Sequence, residues 1–388
     1  MAKELAALIG AGHTRFGALS EGPRQLVRDA VDSAIASVDA GLQHAEIGEA
    51  FLGTLGFSGW QIGNSSAMLN EEGRLSGIPV TRIENACASS GFALHAAIRA
   101  VQSGHRDLAL VVGLEKMTDV TSPRRRYWLG VSGDTEWERL AGLTFAGVYG
   151  LIASRYLDQY RLPRSALTEV AVKNHENGAL NPNAQFRKTV SREQVESSPL
   201  VADPLTLMDC CPVSDGAVAL LVASPEVARR FTDAPVWVVG CGAGSDALAL
   251  QDRQSLTSLA ATKRAAAEAF RTAELDRRSV SLLEVHDCFT IAELLALEDL
   301  GFAEPGKGAE LTLSGQTRRS GRIPVNPDGG LKAKGHPIGA TGASQAYEAF
   351  VQLRRSAGDR QIAGASVALT HNVGGSGASA TVTLFRAG

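Results

Sequence analysis

The sequence predicts an α/β protein built from two similar halves. Apolar strand-like runs alternate with amphipathic helix-like runs, and the order of these runs repeats once along the chain. The composition agrees with this, because the 388 residues are 44% hydrophobic and 20% charged, with 41 glycines. A chain of this size can form two or three domains and bury a large core.

Each half is predicted to follow the same order of strands and helices. The first half has strand 5–12, helix 23–38, strand 49–55, a helix starting near Cys87, and strands 108–114 and 217–223. The second half has strand 236–240, helix 262–273, strand 280–285, a helix starting near Gly339, and strands 366–370 and 378–385. Duplication of a five-strand unit explains this repeat. Two such units packed back to back would bring the two helix starts to one centre.

The predicted organisation is two halves with one insertion. The N-terminal half comprises residues 1–120 and 210–228, and the C-terminal half comprises residues 229–388. Residues 121–209 have no counterpart in the second half and are predicted to form a loop or cap domain over the site, with a helix at 147–160. A connection of this length is usually functional or a small domain of its own.

Charge and cysteine content exclude several classes of protein. A formal net charge of -3 with mixed signs predicts no nucleic-acid partner and no anionic membrane partner. The five cysteines, at 87, 210, 211, 241 and 288, form no CxxC pair, which argues against a metal site or a disulfide framework. Free thiols favour a reducing compartment, and no apolar run reaches the ~18 residues of a membrane span. We therefore expect a soluble, cytoplasmic protein.

Cys87 is the strongest candidate for a catalytic residue. It follows an extended run and precedes Ala88-Ser89-Ser90-Gly91 at the start of a predicted helix. A helix dipole lowers the pKa of a thiol in this position, and small neighbours allow close approach of other backbone. The alternative is a buried, inert cysteine, the commonest fate of a free thiol. Matched motifs in the second half favour a nucleophile, and the adjacent pair Cys210-Cys211 is predicted to pack in the core.

Three second-half motifs supply what a cysteine nucleophile needs. His336 lies between a glycine and a proline in Gly335 to Gly342, which aims its imidazole. His286-Asp287-Cys288-Phe289 ends a predicted strand, where α/β proteins bind ligands. Asn372-Val373-Gly374-Gly375 also follows a strand, and its glycine amides could bind an oxyanion. Together with Cys87 these motifs predict covalent acyl transfer.

Basic residues offer a possible site for the phosphates of an anionic ligand. The cluster Arg124-Arg125-Arg126 and the pair Arg187-Lys188 lie in the predicted cap. The simpler interpretation is a solvated loop. Both interpretations stay open at this point.

At this level the chain resembles the thiolase superfamily over almost its whole length, and in particular the sterol-carrier-protein-type and archaeal members with an HDCF motif. The matching segments occur in the family's order: 85–91, 286–289, 326–342 and 371–377, with 181–188 as a loop segment. The resemblance implies a thiolase fold, with two duplicated halves in a five-layered αβαβα arrangement and an inserted loop domain. It also implies coenzyme A thioesters as substrates, no permanently bound cofactor, a homodimer or homotetramer, and a possible small zinc-ribbon/OB-fold partner protein.

The chain departs from the commonest thiolase pattern at two places. Common thiolases have Asn-Glu-Ala-Phe where this chain has His286 to Phe289, and Cys-x-Gly where it has Asn372-Val373-Gly374. As in the HDCF subgroup, the second catalytic thiol is then Cys288. The resemblance predicts a catalytic set of Cys87, His286, Cys288, His336, Asn372 and Gly374, with Arg124, Arg125, Arg187 and Lys188 as candidates for the coenzyme A phosphates.

The predicted function is a thiolase that makes or cleaves 3-ketoacyl-CoA by Claisen condensation or thiolysis through an acyl-cysteine. One alternative is a ketosynthase-like or other acyltransferase that uses acyl-Cys87 with a different acceptor. A non-catalytic lipid-binding subunit is the third alternative, because fold and function are only loosely linked.

Overall fold

A computed structural model describes residues 3–75 and 77–388. The strands are β1 Ala6–His13, β2 Glu49–Gly53, β3 Val80–Ile83, β4 Leu108–Glu115, β5 Leu200–Ala202, β6 Leu205–Thr206, β7 Gly216–Ala223, β8 Val236–Ser245, β9 Leu282–Glu284, β10 Val367–Gly374 and β11 Ser379–Ala387. The helices are α1 Pro23–Ala36, α2 Ser65–Glu72, α3 Ser89–Gln102, α4 Ser122–Gly130, α5 Phe145–Tyr160, α6 Ser165–Gly178, α7 Arg192–Glu196, α8 Pro225–Ala228, α9 Ala260–Ala273, α10 Thr290–Asp299, α11 Gly308–Leu313, α12 Gly330–Ala333 and α13 Thr341–Leu353. The predicted α/β class and the repeated order of elements are confirmed.

The strands form a nine-stranded mixed sheet in the order β3-β2-β4-β7-β1-β8-β11-β10-β9, with β5 and β6 as a separate hairpin. Strands β3, β2 and β4 are parallel to one another, as are β9 and β10, whereas β7, β1, β8 and β11 pair antiparallel with their neighbours. The order from β3 to β1 mirrors the order from β9 to β8. The internal duplication is therefore visible in the topology.

Two details of the predicted duplication are wrong. The second half contributes four strands, because the counterpart of β3 is reduced to a single parallel bridge between Leu283 and Val325. The two sets of strands are also not separate units. Residues Ala6 to Leu8 of β1 pair with Val236 to Val238 of β8 and join them into one sheet. The five-layer arrangement itself stays a prediction, as do the domain boundaries.

Helices cover both faces of the sheet. The outer face packs on α1, α2, α9 and α10, and the alternate side chains of the same strands pack on α3 and α13. The two inner helices contact each other, and α13 contacts strands of both halves. Among the described residues, no helix combines the length and apolar character needed to cross a membrane.

The inner helices meet at their N-termini, where only glycine fits. A Cβ atom on Gly342 would lie 2.4 Å from the amide nitrogen of Gly91 and 2.3 Å from Oδ1 of Asn372. The amide of Ala343 also donates to Oγ of Ser90 at 2.9 Å. These contacts bring the segment before α3 and the segment before α13 together, as the repeat predicted.

Candidate active site

The predicted site residues from both halves lie in one buried centre. The thiol of Cys87 and one ring nitrogen each of His286 and His336 lie within 4.8 Å of one another. Cys87 follows β3, and His286 follows β9, so both lie beyond the carboxyl ends of parallel strands, where α/β proteins bind ligands. Their residue types could also ligate a metal ion, although the sequence predicts no metal here.

A tight turn presents Cys87 just before α3. Ala86 has a φ of 49°, in the left-handed region that non-glycine residues rarely adopt. The turn is closed by the amide of Ala88, which donates to the carbonyl of Asn85 at 2.9 Å, and by Oγ of Ser89, which donates to the carbonyl of Ala86 at 2.6 Å. Backbone strain of this kind clusters at functional sites, where the surrounding structure maintains it.

The expected lowering of the Cys87 pKa is wrong. Burial raises the pKa of this thiol to about 12, and proximity to Cys211 adds to the rise. A hydrogen bond from the backbone amide of Gly375 opposes it, but the loss of water around the thiol outweighs that contact and the helix start. The resting nucleophile is therefore a neutral thiol that needs a base.

His336 is held by three separate parts of the chain. Its amide donates to Oγ of Ser214 at 2.9 Å. Three residues later, the amide of Gly339 donates to Oε2 of Glu115 at 3.1 Å. The ring Nδ1 lies 2.6 Å from Oγ1 of Thr341. The glycine–proline motif thus positions this imidazole, as the sequence predicted.

The Thr341 contact determines which nitrogen of His336 carries the proton. Oγ1 of Thr341 donates its only proton to the carbonyl of Pro337 at 3.1 Å, so it accepts from Nδ1–H of His336. Burial lowers the pKa of His336 to about 3, with a smaller contribution from Lys334. The ring is therefore neutral, and its Nε2 is free to accept a proton.

His286 has the opposite tautomer. The side-chain amide of Asn372 donates to the carbonyl of Cys87 at 2.9 Å and to Nδ1 of His286 at 3.1 Å. The imidazole is neutral, because burial and then the neighbouring His336 hold its pKa well below the usual range. Its proton thus lies on Nε2, which is buried and has no partner among the described residues. His286 offers a hydrogen-bond donor where His336 offers an acceptor.

Cys288 lies in the same cavity as Cys87, whereas Asp287 points away from it. The carboxylate of Asp287 accepts from the amides of Leu331 and Lys332 at 2.7 and 3.2 Å, which anchors the motif to α12. Asp287 is thereby held at α12, apart from the cluster of Cys87, His286 and His336.

Two cavities meet at the site. The smaller has a volume of about 120 Å³ and is lined by Cys87, Met117, Leu129, Ser132, Phe145, Cys211, Pro212, Val213, Cys288, Phe289, His336 and Ile338. The larger has a volume of about 630 Å³ and shares Cys211 and Pro212 with it. Cys210 and Cys211 are thus half-buried cavity residues, which corrects their predicted place in the core.

The candidate phosphate-binding residues separate into two groups. Arg187 and Lys188 line the larger cavity together with Arg15. Arg124 instead stacks on Trp60 and donates to the carbonyl of Ser58, and neither it nor Arg125 lines the two cavities that meet at the site. Of the two predicted basic groups, therefore, only Arg187 and Lys188 lie at the site.

The C-terminal motif also differs in detail from the prediction. Strand β10 continues to Gly374, four residues beyond its predicted end, because Gly374 pairs with Ser379 of β11. Asn372 is therefore inside a strand rather than after it. The first residue beyond the strand is Gly375, and it is this backbone amide that contacts the Cys87 thiol.

Comparison with known families identifies the family and its fold. The family description "Thiolase, N-terminal domain" matches residues 6–226, and "Thiolase C-terminal domain-like" matches residues 242–387. The chain belongs to the thiolase family. It is an acyltransferase of the thiolase type, as the sequence predicted.

Relatives of this thiolase align over nearly its full length. It is 44% identical to the acetyl-CoA acetyltransferase of Methanothermobacter thermautotrophicus over 98% of both chains. It is 39% identical to the enzyme of the same name from Methanocaldococcus jannaschii, again over 98% of both. Sterol carrier protein 2 of Gallus gallus is 32% identical and aligns with 98% of this chain and 71% of its own length.

Solved structures share the fold of this thiolase. The structure described as "Ltp2-ChsH2(DUF35) aldolase" superposes with a TM-score of 0.85 at 24% identity over 97% of both chains. Human mitochondrial 3-ketoacyl-CoA thiolase superposes with a TM-score of 0.73 at 18% identity over 99% of both.

The sequence did not predict the roles of some residues that build the site of this thiolase. Thr341 belongs to the motif Gly335 to Gly342, but the sequence alone does not show that its hydroxyl contacts His336. Cys211 was predicted to pack in the core. Its position shortly before a predicted strand was a possible indication that it lines a cavity. Tyr149, in α5, stacks on Phe289 with ring centroids 4.5 Å apart, a contact that no local motif indicates.

Proposed function

We propose that this protein makes or cleaves short-chain 3-ketoacyl-CoA by acyl transfer through Cys87. The observation that carries the proposal is the single buried centre formed by Cys87, His286 and His336, with Cys288 in the same cavity wall. A nucleophile, a free imidazole acceptor, an imidazole donor and a second thiol are the groups that such a reaction needs. The names of the archaeal relatives support the same reaction.

In the first half-reaction the proton of Cys87 passes to Nε2 of His336. The thiolate attacks the thioester carbonyl and expels the coenzyme A thiolate, which takes its proton from Cys288. Backbone amides at Cys87 and Gly374, together with the Gly375 amide, are candidates for binding the oxyanion, and each such donor is worth about 3 kcal/mol in comparable sites. The products are acyl-Cys87, free coenzyme A, a His336 imidazolium and a Cys288 thiolate.

In the second half-reaction the Cys288 thiolate removes a proton from the α-carbon of a second acyl-CoA. Nε2–H of His286 donates to the resulting enolate oxygen. The enolate carbon attacks acyl-Cys87, and the released Cys87 thiolate takes its proton back from His336. Every group then returns to its starting state, and thiolysis follows the same steps in reverse.

The two cavities suggest where the substrate lies. The larger cavity, with Arg187 and Lys188 at its edge, is wide enough for the pantetheine arm and leaves the phosphates near these cations. The smaller cavity holds about four times the ~30 Å³ that one water occupies in the liquid. A cavity of this size favours a short acyl group such as acetyl or acetoacetyl. Arg187→Ala should raise the KM for coenzyme A, whereas Arg124→Ala should leave it unchanged.

Cleavage of acetoacetyl-CoA by the purified protein tests this function. We expect thiolysis with free coenzyme A, and rates that fall steeply from short to medium to steroid-side-chain substrates. A protein that forms acyl-Cys87 but never cleaves or makes a carbon–carbon bond would instead be an acyltransferase with another acceptor. Absence of any acyl adduct would favour the non-catalytic alternative.

The Thr341 contact gives a specific prediction for the first half-reaction. Thr341→Val removes the oxygen that accepts from Nδ1 of His336, so the imidazole can take the wrong tautomer. We expect Cys87 acylation to slow by roughly tenfold to hundredfold, in line with one hydrogen bond in a buried site. Thr341→Ser retains the oxygen and should stay within about threefold of the native rate. Equal rates in both variants, measured by rapid quench and intact mass, would contradict the assignment.

Assembly is also a proposal. A homodimer or homotetramer follows from family membership, and light scattering on the purified chain measures it directly. The relative whose structure is described as "Ltp2-ChsH2(DUF35) aldolase" names a second protein beside the thiolase-like chain. For this chain we propose a small partner protein of the zinc-ribbon/OB-fold kind. Co-purification from the native host, with a shift on size exclusion, tests for it.

A further inference from the structure

We propose that Tyr149 is a positioning residue whose hydroxyl donates a hydrogen bond to the thiolate of Cys288 between the two half-reactions. The inference rests on the proposed function, because only that reaction gives Cys288 a negative charge. It adds a residue from the predicted cap to a set of catalytic groups that otherwise come from the two halves. The proposal depends on where α5 places this side chain.

The ring of Tyr149 is fixed next to Cys288. It is 1% exposed, and it stacks on Phe289, the residue after Cys288, with an angle of 22° between the rings. Cys288, Phe289 and Tyr149 belong to one apolar cluster that joins α5 to α10. The ring therefore moves with the loop that carries the second thiol.

The hydroxyl of Tyr149 is only weakly engaged in the resting site. It donates to the carbonyl of Gly375 at 3.3 Å, longer than the 2.7–2.8 Å that hydroxyl donors usually reach. A contact this weak costs little to exchange for a stronger hydrogen bond to a charged acceptor. Gly375 is also the residue whose amide contacts Cys87. Burial, and then proximity to Cys288 and to Cys87, raise the pKa of Tyr149, so its hydroxyl stays protonated as a donor near both thiols.

A charged Cys288 has few other groups to stabilise it. Burial raises the pKa of this thiol far above its usual value, and among the contacts that oppose the rise, the hydrogen bond from Tyr149 is the largest, followed by the backbone amide of Phe289. A hydrogen bond to a charged group shifts such an equilibrium by about one to two pKa units. Tyr149 therefore adds a hydrogen bond to the Cys288 thiolate, in the same cavity as the His336 imidazolium that the first half-reaction leaves.

Tyr149→Phe tests the hydroxyl alone, since the ring and its stacking remain. We expect exchange of the acetyl-CoA α-protons in deuterated water to slow by about tenfold to hundredfold. Formation of acyl-Cys87, measured by intact mass, should stay within about threefold of native. The basic pH at which exchange reaches half its maximum should rise by about one to two units.

Tyr156→Phe is the matched control. Tyr156 lies on the same helix, is fully buried, and donates its hydroxyl to Glu298, away from the two thiols. This variant should retain both native rates, and thermal unfolding of both variants checks their fold. Exchange at the native rate in Tyr149→Phe, or an equal loss of exchange and acylation, would overturn the inference. If the native protein itself forms no acyl-Cys87, the proposed function fails instead, and all three proteins behave alike.

Discussion

A Cys87→Ala variant is expected to lose acetoacetyl-CoA cleavage by roughly 10⁴- to 10⁶-fold, the range seen when a covalent nucleophile is removed. His336, the proposed acceptor for the thiol proton, lies within 4.8 Å of Cys87, so the variant loses the thiol that this base serves. The intact mass after incubation with acetyl-CoA should show no adduct.

The control for Cys87→Ala is Cys241→Ala. Cys241 lies in β8, is partly buried and packs on the inner-helix cluster, and it does not line either cavity of the site. This variant should form the adduct and turn over at close to the native rate. Turnover that persists without Cys87 would show that the chain transfers acyl groups by another route.

A Cys288→Ser variant is expected to lose α-proton exchange by roughly 10²- to 10⁴-fold, the usual contribution of a general base. A serine hydroxyl holds its proton far more tightly than a thiol, so no alkoxide forms in a buried site. Acyl-Cys87 should still accumulate, because the first half-reaction needs Cys288 only to protonate a leaving thiolate. Deuterium exchange and intact mass on the same sample separate the two effects.

The contrast between the two thiols is itself informative. Loss of both signals in Cys87→Ala, but of exchange alone in Cys288→Ser, assigns nucleophile and base unambiguously. If Cys288→Ser exchanged α-protons at the native rate, the base would have to be another group, and the role proposed for Tyr149 would fail with it.

Much of the site could be predicted from the sequence because its parts are local motifs. Cys87 before a helix, the glycine–proline pair around His336, and His286 with Cys288 two residues apart are each defined by neighbours in the chain. The repeat of strands and helices placed Cys87 and the His336 motif at equivalent helix starts, and in the structure both lie beside His286. The α/β class and the helix starts follow from the same local patterns.

Only the tertiary structure decided the electrostatics and the fine topology. The rise of the Cys87 pKa comes from burial by both halves, which a helix-dipole argument does not contain. The opposite tautomers of His286 and His336 depend on Asn372 and on Thr341, each of which reaches its partner through the packing of the segments around it. Contacts between distant segments likewise decide where Tyr149 lies and why only a single bridge forms at Val325. They also decide which of the basic residues lie at the site. Local sequence determines which groups are available, and long-range packing determines their protonation and their partners.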